Sequence, residues 1–304
     1  MKTSELNALI SLLDDTDERI LENVRTKLLS LGPKIIPALE SVWEKSFHID
    51  LQYKIEDIIH RIQLADSSQK LSQWVRDGAE NLLEGIILVA KCQYPDLEED
   101  KIHQFMERLK KDIWMEINHS QTALEKCRVI NQVFFNIYGF SANTAHYQAP
   151  ENNYINKVIE SKKGNAVSLA AIYAIVAQEL ELPVYGVNLP EHFILCWVDD
   201  SEIGRMMSSN KGPNVFFYIN PLNKGAIFSR REIDQFLIRG GIKPQAMYYE
   251  PTPNFSIIIR MLTNIISYYQ KEGRQEKAEE LSELRNQVRE EIEKMTQQKR
   301  SEEN

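Results

Sequence analysis

The chain has 304 residues, a length that suits about two domains, and its 43% hydrophobic and 26% charged content is that of a soluble globular protein. A formal charge of -8 arises from 44 acidic against 36 basic side chains. The basic residues occur as short pairs such as Lys110-Lys111, Lys162-Lys163 and Arg230-Arg231, which excludes a phosphate-tracking stripe and nucleic acid as an expected partner.

The opening MKTSELNALISLLDD carries Glu5, Asp14 and Asp15 and no apolar region of the signal-peptide kind. Leu6, Leu9, Ile10 and Leu13 follow the i, i+3, i+4, i+7 pattern of a first amphipathic helix. The acidic run from Asp14 to Glu18 supplies caps and favourable charge for a second, Ile20 to Leu31. Gly32-Pro33 stops it, and a third helix opens at Ile35-Ile36-Pro37. The stretch DERILENVRTKLLSLGPKIIPALESVW resembles a HEAT repeat, with an Asp-rich lead-in, a central Val-Arg and a Gly before the second helix. Further helices are expected over Leu51 to Ile62, Leu71 to Asp77, Leu82 to Cys92, Lys101 to Ile117 and Ala123 to Tyr138.

From Gly139 the pattern changes. GFSANTAHYQAPENNYINKVIESKKG, with Asn and Ser around Pro150, reads as an ordered loop leading into a short helix. Asn165 is a good N-cap for a helix Ala166 to Leu180. The nearly apolar run Ala166 to Ala177 is too short to span a bilayer, so a buried helix and no membrane contact are expected. Strands are expected near Val184 to Leu189, His192 to Val198 and Val215 to Ile219, with a last one including Ala246 to Tyr249. SRRE, residues 229–232, has capping-box spacing and starts a helix through Ile238. After EPTPN comes a helical tail, Phe255 to about Lys299, in which LTNIISYYQKEGRQEKAEELSEL partly resembles a tetratricopeptide hairpin at Tyr269, Gly273 and Ala278.

Cys92, Cys127 and Cys196 form no C-x-x-C pair, and the six histidines form no H-x-x-x-H pair. The expectation is a reduced, cytoplasmic protein without a metal or other cofactor.

Three stretches carry a wider resemblance: LLEGIILVAKCQYPDL, YINPLNKGAIFSRRE, and the long NQVFFNIYGFSANTAHYQAPENNYINKVIESKKGNAVSLAAIYAIVAQELELPVYGVNLPEHFIL. Together they resemble the bacterial SirB-type branch of the transglutaminase-like superfamily, whose members often carry tetratricopeptide repeats after this domain. The resemblance implies an α+β, predominantly helical fold: a papain/transglutaminase-like core with a small antiparallel sheet, flanked by helical hairpins. The expected division is a HEAT-like region at 1–65, the core at 66–250 and a tetratricopeptide-like tail at 251–304.

Catalytic members of the superfamily place a Cys at the start of the central helix, a His on a following strand and an Asp on the next. By resemblance these positions fall on Ala166, His192 and Asn220. A methyl group cannot attack a carbonyl, so the inherited thiol mechanism is absent. Ser168 lies about 200° around the helix from Ala166, which makes a structural hydrogen bond its expected role. His192 is expected to close the loop-strand junction by bonding Asn220. Asn143, Asn152 and Asn153 either satisfy backbone around a long turn or, with Tyr147, Tyr154, Ser168 and His192, line a remnant cleft for an extended peptide. The expected function is a non-catalytic, protein- or peptide-binding regulatory module. The alternative is a hydrolase or acyltransferase with a relocated nucleophile, Ser168 acting with His192.

Overall fold

A computed structural model of the chain describes residues 3–15, 17–199 and 214–302, in two compact units that divide between Leu71 and Ser72. The first unit holds α1 (Thr3–Ser11), α2 (Glu18–Leu31), α3 (Ile36–Lys45) and the start of α4 (Ile49–Arg76). Asp17 caps α2 by accepting the Arg19 N–H at 2.9 Å, and Gly32 ends it with φ +67°. The apolar stripes meet in a core that includes Ile10, Leu28, Leu39, Ile55 and Ile58. The two helices expected at Leu51 to Ile62 and Leu71 to Asp77 are one continuous helix, α4. The intervening polar stretch, with its buried Ser67 and its Asp66–Lys70 ion pair at 2.7 Å, contains neither Gly nor Pro. A lapse in apolar periodicity changes which face is buried without breaking a helix.

The second unit opens with α5 (Leu82–Lys91), α6 (Glu99–Glu116) and α7 (Ala123–Asn131), the last running on as a π-helical turn over Gln132–Ile137. β1 (Ser141–Ala142) pairs in parallel with β2 (Lys163–Gly164), and α8 (Ile155–Ser161) lies between them. α9 (Ala166–Glu179) is buried on every side from Ala166 to Ala177, as a helix apolar all round must be. Then comes a four-stranded antiparallel sheet of β3 (Val184–Asn188), β4 (Phe193–Val198), β5 (Val215–Asn220) and β6 (Ala226–Phe228), in that spatial order.

α10 (Arg230–Arg239) starts with the expected capping box: Ser229 donates its backbone N–H to Glu232 Oε2 at 3.1 Å. The strand expected over Ala246 to Tyr249 is instead a 3-10 turn, Ala246–Tyr248, closed by Tyr249 N–H to Ala246 O at 3.0 Å. Short i to i+3 bonds satisfy this segment, and the Tyr249 carbonyl accepts from the Tyr218 hydroxyl at 2.9 Å. α11 (Asn254–Lys271) and α12 (Gln275–Glu302) form a hairpin around Gly273, φ +72°, within the same unit. α11 turns Ile257, Ile258, Met261, Leu262, Ile265, Ile266 and Tyr269 inward.

One face of the sheet carries Ile194, Cys196 and Val198 into a cluster with Ile233, Leu237 and Tyr249. By alternation, Phe193, Leu195 and Trp197 take the opposite face, the one on which α9 packs. This parity decides what can enter the site.

Candidate functional site

A cavity of about 220 Å³ opens at the N-terminal end of α9. Its lining comes from Asn165, Ala166 and Val167 of the cap and α9, Phe193 of β4, Tyr147, Gln148 and Asn153 of the Asn-rich loop, and Arg260, Asn264, Ser267, Tyr268 and Lys271 of α11. Exposed Glu191 also contributes to the lining.

The start of α9 is held by hydrogen bonds written into the local sequence. Asn165 Oδ1 accepts the N–H groups of Val167 and Ser168, each at 3.0 Å, which caps α9. Ser168 Oγ accepts the Asn165 N–H at 3.1 Å and donates to the Asn165 carbonyl at 3.3 Å. A Cβ at Gly164 would come within 2.5 Å of that oxygen, so only glycine lets the chain pass so close. Ser168 is thus spent on the cap, 2% exposed, and does not line the cavity. Phe193 reaches the cavity because β3 carries Gly186 beneath its ring, where a Cβ would lie 2.7 Å from Cζ.

The Asn-rich loop is stitched rather than open. Asn143 donates to Asn152 Oδ1 at 2.9 Å, and Asn152 donates to the carbonyls of His146 at 2.7 Å and Tyr147 at 3.0 Å. Asn153 Oδ1 accepts from Asn165 at 2.7 Å and from Asn264 at 3.3 Å, tying loop, α9 and α11 together behind the cavity. Of the suggested cleft residues, only Tyr147 and Asn153 line it. Asn143 and Asn152 order the loop, and Tyr154 packs in the core, edge-on to Tyr94 with ring centroids 5.3 Å apart.

The three positions of the thiol-type triad do not converge. Ala166 lines the cavity. His192 has the parity of Ile194 and lies on the other side of the sheet, exposed, with its ring edge-on to Phe236 at 4.8 Å. Among the described residues its ring makes no hydrogen bond, so the expected bond to Asn220 is absent: Asn220 Oδ1 accepts the Leu222 N–H at 3.0 Å instead. The strand residue that lines the cavity together with Ala166 is Phe193.

No thiol lines the cavity. Cys127 and Cys196 are buried elsewhere, and desolvation pushes their thiols up to about 11 and about 12. Among the described residues, no group of three or more His, Cys, Asp or Glu side chains is gathered as a metal site. No helix of the described residues is long and apolar enough to cross a membrane.

The residues that the sequence reading missed are those of α11. Arg260, Asn264, Ser267, Tyr268 and Lys271 follow i, i+4, i+7, i+8 and i+11, a polar stripe opposite the apolar one. The signal was present in the sequence, but a polar helical stripe ordinarily faces solvent. Burial disfavours the charge of the Arg260 guanidinium, whose Nη1 donates to Asn188 Oδ1 at 3.3 Å and to the Leu189 carbonyl at 3.4 Å.

Residues 100–263 match the domain described as transglutaminase-like superfamily. That span takes in α9, the sheet and Arg260. The chain is 28% identical over 207 residues to the UPF0162 protein YchA of Escherichia coli (strain K12), covering 66% of this chain and 71% of that protein. It is 26% identical over 206 residues to Protein SirB1 of Salmonella typhimurium, with the same coverage of 66% and 71%. A UPF0162 protein of Xylella fastidiosa is 27% identical over 215 residues, 67% of this chain and 70% of the relative. No solved structure matches the chain.

Proposed function

The chain belongs to the transglutaminase-like superfamily, and we propose that it is a non-catalytic member of it, a cytoplasmic protein- or peptide-binding module with a regulatory role. The observation that carries this reading is the cavity lining: Ala166 and Phe193 contribute to it, and it holds neither a thiol nor an imidazole. A methyl group and a phenyl ring can contact a ligand but cannot exchange a proton or form a covalent intermediate. Against a relocated nucleophile stands the geometry of Ser168, whose hydroxyl is occupied by the cap of α9, and of His192, whose ring packs on Phe236. The helical hairpins at 1–65 and 251–304 are proposed as HEAT-like and tetratricopeptide-like surfaces serving the same purpose.

Two measurements test this. Intact-mass spectrometry after exposure to thiol- and serine-directed acyl electrophiles is expected to give the same adducts on folded wild type and folded His192→Ala. A stoichiometric adduct that disappears in the variant would establish an enzyme instead. A photocrosslinking residue in place of Tyr147 is expected to capture polypeptide in cells, whereas one in place of exposed Glu160 is not. Equal capture at both positions, or none at Tyr147, defeats the binding reading.

A further inference from the structure

Two cations line the cavity: Arg260, which is half-buried, and Lys271, which is exposed and donates to Gln148 Oε1 at 3.1 Å. Of five possible donors, the described residues engage only Nη1 of Arg260, in two long bonds to neutral acceptors. Among the described residues Arg260 forms no ion pair, although Tyr147 and Glu191 are near enough to act on its charge. A half-buried guanidinium has lost part of its hydration and gains from an anion that takes up its remaining N–H groups. Glu191 itself is held at φ +59°, a backbone setting that a non-glycine residue rarely adopts.

The form of the cavity narrows the choice of anion. Lys271 lies eleven positions beyond Arg260, about 16 Å along the helix, and is engaged by Gln148, so the two cations stand apart. Between them lie the neutral polar Asn264 and Ser267, with the Tyr268 ring beside them. A single guanidinium with free N–H groups suits a singly charged planar carboxylate, which it can bind in a two-pronged fashion. A phosphate dianion would want converging cations and would be repelled by Glu191 more strongly than a singly charged carboxylate.

Building on the peptide-binding reading above, we propose that the cavity takes an extended peptide segment whose carboxylate is clamped by Arg260, with neighbouring peptide groups hydrogen-bonded by Asn264 and Gln148. A C-terminal carboxylate and an Asp or Glu side chain share this chemistry.

The test uses the full chain, labelled with ¹⁵N, and follows the Asn264 side-chain amide resonances by NMR in wild type and variants, with the Arg260 Nε–H as a second reporter in the wild type. Four probes are titrated: acetyl-Ala-Ala-Ala with a free C-terminus, its C-terminal amide, acetyl-Ala-Glu-Ala-amide, and inorganic phosphate. Saturable shifts are expected with the first or the third but not with the second, and which of the two binds distinguishes the terminus from the side chain. Arg260→Gln should weaken that binding by roughly tenfold or more, with Arg260→Lys intermediate and both variants retaining the wild-type melting temperature. If the variants melt early, the wild-type comparison of acid against amide still decides. If the amide binds as tightly as the acids, or phosphate alone binds, the carboxylate clamp is wrong while a polar cavity remains. If no peptide binds, the peptide-binding reading falls with it.

Discussion

Ala166, Ser168 and His192 are each explained by where their side chains point. Ser168 is the sharpest case because two readings of it make opposite predictions. As a cap, its loss strands the buried Asn165 N–H, so Ser168→Ala should cost about 1–3 kcal/mol in denaturant unfolding. Labelling by acyl electrophiles should stay unchanged; a nucleophile would show the reverse. The cysteines give a second prediction. With thiols raised to about 11 at Cys127 and about 12 at Cys196, only about a thousandth and a ten-thousandth are ionised at pH 8. Alkylation of both in the native protein should therefore track unfolding, and mass spectrometry should find them unmodified until denaturant is added. The linkage has a definite sign. The native state keeps these protons above the pH at which unfolded thiols ionise, so their contribution is complete below about pH 8.5. It is lost progressively as pH rises towards 11 and 12, and the unfolding midpoint should fall over that window.

Elements in this fold owe their positions to small residues that admit a large neighbour. Gly186 of β3 lies under the Phe193 ring, and Gly85 of α5 lies against the Trp74 ring, where a Cβ would come within 2.7 Å. Gly186→Ala should thus cost about 1–3 kcal/mol by overpacking, read from the denaturant midpoint. It should also tilt Phe193 into the cavity and weaken any ligand held there, whereas Gly85→Ala should cost similar stability and leave binding alone. These contacts join residues seven and eleven positions apart on two neighbouring elements and could not be read from the pattern within either element. What was legible was local: the Asn165 cap, the Ser229–Glu232 box and the strands near 184–189 and 192–198. The π-helical turn at Gln132–Ile137 escaped because one extra residue in a turn barely disturbs an apolar run. His192 was misplaced because the resemblance supplied a residue, whereas the register of β4 decides which side of the sheet that residue occupies.

For the second unit, the central helix and sheet were recognisable in the sequence, but the share of the site contributed by the C-terminal hairpin was not. Periodicity shows which face of α11 is apolar and is silent on what its polar face looks into. α11 completes both core and cavity. It buries Ile258, Met261, Leu262 and Ile265 among other side chains, and Asn254 donates to the carbonyls of Ala79 at 3.0 Å and Glu80 at 2.8 Å. Asn264 reaches Asn153 behind the cavity, and Arg260 reaches the end of β3. A chain ending at Glu250 would therefore lose part of the site's lining and uncover apolar surface on α5, α9 and β3 together. Such a chain should retain helical far-ultraviolet circular dichroism but lose near-ultraviolet signal and sharp methyl resonances, the signature of a compact state without fixed packing. If the hairpin were an appended module, the shortened chain would instead keep native-like spectra and a cooperative melt. The comparison thus decides whether α11 belongs to the folding unit that forms the cavity or only decorates it.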